Sequence, residues 1–354
     1  MAIETEPVGS VPRSPELQAA MVAHAEGSIS AEALDQMFDE AVADTVARFE
    51  ATGSPVVSDG EQTKSSFATY PLDGLRTLSA DGVVIPFDDG HTRQLPVITD
   101  GPFQYQNHAG SYVERTRKFT QRPIKQAVIS ASAMSLLYPA SGIDGYSQEQ
   151  FRIDLIEQAA HDIRSCLDAG AASVQVDFTE ARLALKLDPS GGLLQQFIDL
   201  NNEVFSRFSA DELQRIGVHT CPGGDHDSAH SLDIDYAGLI PQLLTLDAGR
   251  FFMQMASEAD PEKSLKLIGE RLQPHQSVYV GVIDVCDEQV ESVETVRSRV
   301  LTAAEHIPIA QLGTTDDCGY SPFSDDVATI RDTAFAKIAA RVEGTQMAAD
   351  QLGV

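Results

Sequence analysis

The 354-residue chain has no tryptophan, four cysteines and few basic side chains: 25 Lys and Arg stand against 53 Asp and Glu. The formal net charge of −28 repels phosphate backbones, so a nucleic-acid partner is not expected. Cys166, Cys221, Cys286 and Cys318 are too scattered for a disulfide framework. In a reducing cytosol they are expected to be core thiols, metal ligands or reactive groups.

Long apolar runs are missing as well. No stretch approaches the roughly 18 apolar residues of a membrane-spanning helix, and the acidic N-terminal stretch lacks the apolar segment of a signal peptide. We therefore expect a cytosolic protein without a membrane partner. The sequence also lacks GxGxxG after its first strand and GxxxxGKS anywhere, the phosphate-binding sequences of doubly wound α/β folds.

The chain does contain a recurring unit of roughly 35 to 45 residues, in which a short apolar run precedes an amphipathic stretch. The clear runs are Ala127–Ile129, Ser173–Val176, Ile216–Val218, Phe251–Met255, Val278–Ile283 and Ile309–Leu312, with weaker ones at Glu4–Val8 and Pro55–Ser58. Helical patterns cover Ser147–Asp168, Leu193–Phe208, Pro261–Leu272, Val290–His306 and Asp325–Val342.

This alternation is typical of a parallel sheet covered by helices. Because eight units can be found and the phosphate-binding sequences are absent, the pattern favours a (β/α)8 TIM barrel over a doubly wound sheet. We predict an α/β fold with a single domain over residues 1–354. Gly, Pro and aromatic residues are frequent between Thr69 and Thr120, which predicts inserted loops or a hairpin around 69–120.

Polar side chains follow most of the predicted strands. They are Asp59 to Glu61, Asp177, His219 to Cys221, Ala256 to Glu258, Asp284 and Thr315 to Gly319. In a parallel barrel the active site gathers at the C-terminal ends of the strands. Burying such groups without partners costs several kcal/mol, so their recurrence at successive strand ends predicts a functional site.

His219 and Cys221 are one residue apart, so on an extended strand both side chains point to the same face. An imidazole with a thiolate is a zinc donor pair, and Cys318 offers a second thiolate. Three protein ligands with an open fourth position are typical of a catalytic zinc. The alternative is a histidine satisfied in the core beside a buried cysteine.

Several nearby residues allow two interpretations. Glu258 is either a fourth ligand or a carboxylate at the N-terminus of the helix beginning at Pro261. The loop GGDHDSAH offers Asp225, His226 and His230 to a metal, although such loops are often solvated turns. We interpret Cys286 as a bystander and Cys166 as a core thiol.

Six segments of the sequence resemble segments of a known family. EPVGSVPRS, DGEQTKSSF, AASVQVDF, GVHTC, YVGVIDV and TTDDCG occur in the order found in the catalytic barrel of cobalamin-independent methionine synthase. The resemblance extends from about Ile3 to Ile338 and is strongest to the single-barrel members. His219-x-Cys221 and Asp-Cys318-Gly are its most specific parts.

The resemblance implies roles for individual residues. His219, Cys221 and Cys318 match the zinc ligands, so Zn²⁺ is the implied cofactor. Gly9 and Ser10 match the loop that holds the amino-acid carboxylate. Glu61 resembles the glutamate that receives the substrate ammonium group, and Asp177 resembles a second contact to the amino acid. The implied thiol substrate is homocysteine.

The chain departs from the family in three places. The glutamate ligand that ends the sixth strand is replaced by Met255 or Ala256, and the usual Asp-Glu-Pro after the fourth strand begins here with Asp177-Phe178. The tryptophan near the pterin is missing. Three kinds of methyl donor therefore stay open: methyltetrahydrofolate, a methylcorrinoid that is free or protein-bound, and another activated methyl group.

We hypothesise a zinc-dependent methyltransferase that converts homocysteine to methionine, in which Asp177 or Asp284 orients the donor or takes up a proton. A first alternative is alkylation of another thiol on the same metal, such as coenzyme M opening an epoxide. A second is a metal-free binding or partner barrel. A third, a decarboxylase of the uroporphyrinogen type, does not need His219, Cys221 and Cys318 together.

Overall fold

A computed structural model describes residues 3–354 of the chain. The strands are β1 (Glu4–Thr5), β2 (Leu78–Ser79), β3 (Val84–Pro86), β4 (Thr92–Gln94), β5 (Val97–Ile98), β6 (Lys125–Ile129), β7 (Ser173–Asp177), β8 (Ile216–Thr220), β9 (Gly224–Asp225), β10 (Ser228–Ala229), β11 (Arg250–Met253), β12 (Ser277–Gly281) and β13 (Leu312–Thr315). The α-helices are α1 (Pro15–Ala25), α2 (Ala31–Ala51), α3 (Gly110–Arg117), α4 (Ala131–Ser135), α5 (Gln148–Asp168), α6 (Glu180–Leu187), α7 (Gly192–Phe205), α8 (Ala210–Leu213), α9 (Ile240–Leu243), α10 (Pro261–Arg271), α11 (Val293–His306) and α12 (Arg331–Leu352).

Seven of these strands form one all-parallel sheet in the order β1-β13-β12-β11-β8-β7-β6. Val57 extends it beyond β6 through a parallel bridge to Ile124. The predicted α/β fold is thus confirmed as a half-barrel of parallel strands. Among residues 3–354 no sheet pairing links β1 to the Val57 segment, so the sheet is not a closed barrel; beyond the strand ends, Val11 N donates to Gly60 O at 3.1 Å.

Some element boundaries differ from the sequence prediction. Ile309–Gln311 is a 3-10 helix that follows Pro308, so β13 begins only at Leu312. The last helix begins at Arg331 rather than Asp325, because Asp325 and Asp326 belong to a loop in which Asp326 accepts a hydrogen bond from Ala328 N. The pairing of β11 ends at Met253, so the residue that follows this strand is Gln254, not Met255 or Ala256.

Helices α1 and α2 were not predicted, although each begins at a serine cap. The hydroxyl of Ser14 accepts from Leu17 N, and that of Ser30 accepts from Ala33 N, both at 3.2 Å. The two helices bury a small core of their own around Leu17, Ala20 and Leu34. None of the helices within residues 3–354 combines the length and apolar character needed to cross a bilayer.

The segment from Thr69 to Thr120 contains short antiparallel pairs rather than strands of the main sheet. β2 pairs with β5, β3 pairs with β4, and α3 follows them. The β3–β4 hairpin is tied to the β9–β10 hairpin, because Asp88 N donates to Ala229 O at 3.1 Å and Asp89 N to the Ser228 hydroxyl at 3.2 Å. The description of the chain as a single domain stays a prediction.

A buried ion pair connects the last helix to the end of the sheet. Arg341 of α12 donates through Nη1 to Asp316 Oδ2 at 2.6 Å and to the Glu6 carbonyl at 2.8 Å. Arg341 and Asp316 are both almost completely buried. Removing one member of such a pair leaves the other charge without compensation in a medium that solvates it poorly.

We predict that Arg341→Met lowers the free energy of unfolding by about 3–5 kcal/mol, because it leaves the buried Asp316 carboxylate without its ion-pair partner. Chemical denaturation measures the effect. Combining Arg341→Met with Asp316→Asn should recover part of the loss. Arg152→Met, which breaks an exposed pair with Glu203, should cost less than about 1 kcal/mol. Equal losses in the two Arg variants would contradict the prediction.

Candidate active site

A cavity of about 380 Å³ lies at the carboxyl ends of the parallel strands. Its polar wall includes Ser10, Glu61, Asp177, His219 and Cys318, five of the residues that the sequence singled out. Its apolar wall is formed by side chains from outside the main sheet, namely Phe67, Ile85, Phe87, Leu95 and Phe323. The strand ends therefore give the cavity mainly polar groups, whereas the surrounding loops contribute apolar side chains together with polar ones such as Arg93 and Asp325.

The predicted metal ligands come together, and two of them, His219 and Cys318, line this cavity. One donor atom each of His219, Cys221 and Cys318 lies within 4.8 Å of the other two, and the two sulfur atoms are 3.2 Å apart. His219 is on β8 and Cys221 directly follows it, whereas Cys318 follows β13. Since β11 and β12 lie between β8 and β13, the curvature of the sheet brings these ends together.

The hydrogen bonding of His219 fits a metal ligand. Its Nδ1 lies 3.2 Å from the carbonyl oxygen of Phe252, which can only accept, so Nδ1 carries the proton. Its Nε2 is then a bare acceptor, is buried, and has no hydrogen-bond partner. A buried acceptor without a partner is costly, and a cation beside two thiols would satisfy it. Two cysteines and one histidine are a donor set that Zn²⁺ prefers.

Cys221 influences the ionisation of Cys318. The hydrogen bond with Cys221, followed by burial, raises the pKa of Cys318 well above its usual range. A divalent cation between the sulfur atoms would act in the opposite direction, because it stabilises both thiolates.

Glu61 occupies a strained position on the polar wall. Its φ is +56° and it follows Gly60 at φ +67°, both in the left-handed region. Any Cβ on Gly60 would lie 2.6 Å from a methyl carbon of Thr45. The Glu61 carboxylate accepts a hydrogen bond from Lys64 Nζ at 2.9 Å, and Lys64 is completely buried. Strain of this kind is concentrated at functional sites.

Ser10 lies beside the end of β13. Its hydroxyl accepts from Ser321 N at 3.2 Å, and a Cβ on Gly319 would lie 2.1 Å from that hydroxyl. Glycine at 319 therefore allows Ser10 to approach the residue next to Cys318. Gly9 does not line the cavity; its carbonyl accepts from the Ser58 hydroxyl at 2.7 Å.

Asp177 ends β7 directly opposite His219 on β8. It lines the cavity and accepts a hydrogen bond from Gln175 Nε2 at 2.7 Å. Burial raises its pKa to about 6. The carboxylate is therefore easier to protonate than an exposed aspartate.

Other predicted residues lie elsewhere. Glu258 forms an ion pair with Arg182, accepts from Gln254 Nε2 at 2.9 Å, and is not part of the His219 group. Asp284 does not line the cavity, and its carboxylate accepts from Cys286 N at 3.0 Å. Cys166 is buried in α5 and Cys286 is exposed.

The GGDHDSAH loop is tied to the β3–β4 hairpin. The Asp225 carboxylate contacts both His91, at 2.9 Å, and Arg93, while Arg93 also pairs with Asp325 at 2.9 Å. Asp225, His226 and Asp326 form a second compact group of potential ligands, but the Arg93 guanidinium already lies against Asp225 and His226. His230 lines the cavity.

Sequence reasoning missed Lys64 and Arg93, and it placed Asp317 among the residues at the strand ends without giving it a role of its own. Lys64 follows the DGE motif by three residues and lies among polar residues, from Gln62 to Ser66, so nothing in the sequence marks it as buried. Arg93 lines the cavity with its guanidinium carbon 4.1 Å from the Phe323 ring centre. It lies on an inserted hairpin, so no strand-end position marks it.

Glu180 is a buried carboxylate next to the cavity. It follows Thr179, which lines the cavity, and its Oε1 accepts from the hydroxyls of Ser130, at 2.7 Å, and Ser132. Its Oε2 is buried without a partner. Burial raises the pKa of Glu180 to about 7.

Comparison with known proteins identifies similar sequences. The family described as "Cobalamin-independent synthase, Catalytic domain" matches residues 3–332. The methionine synthase of Sulfolobus acidocaldarius is 23% identical over 361 residues, which cover 99% of this chain and 93% of the relative. The 5-methyltetrahydropteroyltriglutamate–homocysteine methyltransferase of Nitratidesulfovibrio vulgaris is 23% identical over 325 residues, covering 90% of this chain but 38% of the relative. The chain thus spans well under half the length of that relative.

Among solved structures, the B12-independent methionine synthase from Shewanella sp. W3-18-1, in complex with selenomethionine, has a similar fold. The TM-score is 0.78 at 19% sequence identity, over 99% of both chains. At this level of identity the likeness concerns the fold alone.

We predict that Glu180→Gln changes how stability depends on pH. The native pKa of about 7 lies above the ordinary value of 4.5, so the native state binds this proton more tightly. The resulting stabilisation of the wild type is complete below about pH 4.5 and is lost as the pH rises through 7. Between pH 5 and 8 the variant should gain up to about 3 kcal/mol relative to the wild type.

Urea denaturation at both pH values measures this difference. Glu149→Gln, at an exposed glutamate in the first turn of α5, is the matched control and should follow the wild type. Parallel pH profiles for Glu180→Gln and the wild type would show that the prediction is wrong.

Proposed function

Because the chain belongs to the family of cobalamin-independent synthase catalytic domains, as its motifs predicted, we propose that it is a zinc-dependent methyltransferase converting homocysteine to methionine. The observation that carries the proposal is the buried group of His219, Cys221 and Cys318 on the cavity, with an imidazole Nε2 that lacks a partner. Relatives named for methyl transfer to homocysteine support the choice of substrate.

The proposed zinc ligands are His219 Nε2 and the sulfur atoms of Cys221 and Cys318. When bound, Zn²⁺ supplies Lewis acidity that keeps a coordinating thiol deprotonated and nucleophilic at neutral pH. Phe252 fixes the imidazole tautomer through its carbonyl oxygen. Glu258 is left out of this set, since its carboxylate is engaged by Arg182 and Gln254.

The polar wall is proposed to bind the amino-acid part of the substrate. Glu61 receives the ammonium group of the substrate, and Lys64 orients the Glu61 carboxylate by donating a hydrogen bond to its Oε1. Gly9 and Ser10 belong to the loop proposed to hold the carboxylate. Asp177 has one carboxylate oxygen engaged by Gln175, so the other is available to contact the amine or to hold a proton. Asp284 is not given this role, because it lies off the cavity.

The apolar wall is proposed to receive the methyl donor. Phe67, Phe87 and Phe323 line this part of the cavity. Apolar side chains there would keep water away from a reactive methyl group and protect it from hydrolysis. We favour methyltetrahydrofolate, since relatives are named for a methylated pteroyl donor, and keep a methylcorrinoid as the alternative.

We also propose that the Val57 segment closes the sheet as the eighth strand of a (β/α)8 barrel.

A first test measures metal content and turnover. The purified wild type should contain about one zinc per chain by elemental analysis. Cys318→Ala should lose both the metal and methyl transfer, because one imidazole and one thiolate hold Zn²⁺ poorly. Cys286→Ala is the matched control, since Cys286 is exposed and outside the ligand group, and it should retain both. Full activity in metal-free Cys318→Ala would contradict the proposal.

A second test concerns the amino-acid end of the substrate. Glu61→Gln should raise the KM for homocysteine about 10- to 100-fold, because it removes a charge-assisted hydrogen bond to the ammonium group. Steady-state kinetics measure the KM, with Glu262→Gln on the exposed face of α10 as the control.

Competition binding with coenzyme M, which has a sulfonate and no amine, should favour homocysteine in the wild type. Tighter binding of coenzyme M would favour the alternative thiol.

A further inference from the structure

Asp317 makes an unusually complete set of hydrogen bonds for a buried carboxylate. Its Oδ1 accepts from the backbone N–H groups of Met255 and Ala256, both at 2.9 Å. Its Oδ2 accepts from the N–H and the hydroxyl of Ser257, both at 2.8 Å. One side chain at the end of β13 thus holds the whole turn that follows β11.

This contact spans an intervening strand. β12 lies between β11 and β13, and it ends at Gly281. A Cβ on Gly281 would lie 1.9 Å from Asp317 Oδ1 and 3.0 Å from the Asp317 Cα. Glycine at the end of β12 therefore leaves the space through which the Asp317 carboxylate reaches the turn. The Asp317 backbone is fixed as well, because its N–H donates to the Ile283 carbonyl at 2.9 Å.

The two ends of this contact each connect to a proposed ligand. Asp317 is bonded directly to Cys318. The turn at Met255–Ser257 continues β11, whose Phe252 pairs with His219 and accepts from the His219 Nδ1. The carboxylate therefore links the strand end carrying one sulfur to the strand that orients the imidazole. The neighbouring Asp316 has a different role, since it pairs with Arg341.

We propose that Asp317 is a positioning residue for the zinc centre: its four hydrogen bonds fix Cys318 relative to His219 before the metal binds. The inference rests on the proposed function, because it concerns the metal proposed there. Preorganised ligands bind a metal more tightly, since less conformational freedom is lost on binding. Changes to residues that orient metal ligands typically cost 10- to 100-fold in metal affinity.

Asp317→Asn tests the proposal in the full-length protein. An amide has one acceptor oxygen. Its NH₂ group would face either the N–H groups of Met255 and Ala256 or the N–H and hydroxyl of Ser257, so at least one backbone hydrogen bond is lost. We expect the Kd for Zn²⁺, measured by competition with a chromophoric chelator, to rise about 10- to 100-fold. We also expect the visible absorption bands of the Co²⁺-substituted protein to shift, which a loss of stability alone would not cause.

Two further variants make the test decisive. Asp162→Asn is the matched control: Asp162 is an equally buried carboxylate, but it accepts from Ala109 N and Tyr70 on the outer side of the sheet. It should leave the Zn²⁺ affinity and the Co²⁺ spectrum unchanged. Ser257→Ala removes one of the four hydrogen bonds and should change both in the same direction as Asp317→Asn, by less. If Asp317→Asn does not fold, the Zn²⁺ affinity and the Co²⁺ spectrum of Ser257→Ala test the proposal instead.

The outcomes separate this inference from the proposed function. Wild-type affinity and spectrum in Asp317→Asn, or equal changes in Asp162→Asn, would overturn the positioning role alone. If Asp317→Asn cannot be purified, a Ser257→Ala variant with the wild-type Zn²⁺ affinity and Co²⁺ spectrum would also overturn the positioning role. A wild type that binds neither Zn²⁺ nor Co²⁺ would overturn the proposed function and this inference together.

Discussion

Two thiols and a bare imidazole nitrogen are buried together at the carboxyl ends of the strands. His219 and Cys221 are each about 1% exposed, and no protein group offers the imidazole Nε2 a hydrogen-bond partner. Such an arrangement is unfavourable in an empty core and becomes favourable around a cation. The surrounding structure is organised to keep these three side chains close, and the proposed chemistry depends on that closeness.

The fold achieves this with close backbone contacts at the strand ends. Gly319 allows Ser10 to lie against the segment after β13, and Gly281 allows the Asp317 carboxylate to pass over the end of β12. On the opposite side, the strained Asp59-Gly60-Glu61 turn holds the Glu61 carboxylate at the cavity with Lys64 beneath it. The site is therefore closely packed on the sheet side, whereas its outer wall comes from inserted loops such as the β3–β4 hairpin.

The parts of this arrangement that the sequence could predict are those governed by the parallel sheet. Strands buried on both faces are continuous apolar runs, so β6, β7, β8 and β12 were located from composition and the residues after them from position. The metal group was predicted for the same reason, since His219, Cys221 and Cys318 each end or follow such a run. Ile309 was assigned to a strand because it is apolar and β-branched, whereas Pro308 begins a 3-10 turn there.

The contacts that the sequence could not predict join residues far apart in the chain. Arg93 reaches Asp225 and Asp325 from an inserted hairpin, and Asp317 reaches a turn about sixty residues earlier. Neither contact leaves a periodic pattern. In the same way, the pairing of Glu258 with Arg182, which argues against zinc ligation, depends on how α6 packs beside the end of β11.

X-ray absorption at the zinc edge, recorded with and without homocysteine, tests the central claim most directly. The account predicts a zinc ion coordinated by two sulfur atoms and at least one nitrogen, with a third sulfur appearing when homocysteine is added. A zinc environment without sulfur, or a sulfur count that homocysteine leaves unchanged, would contradict it.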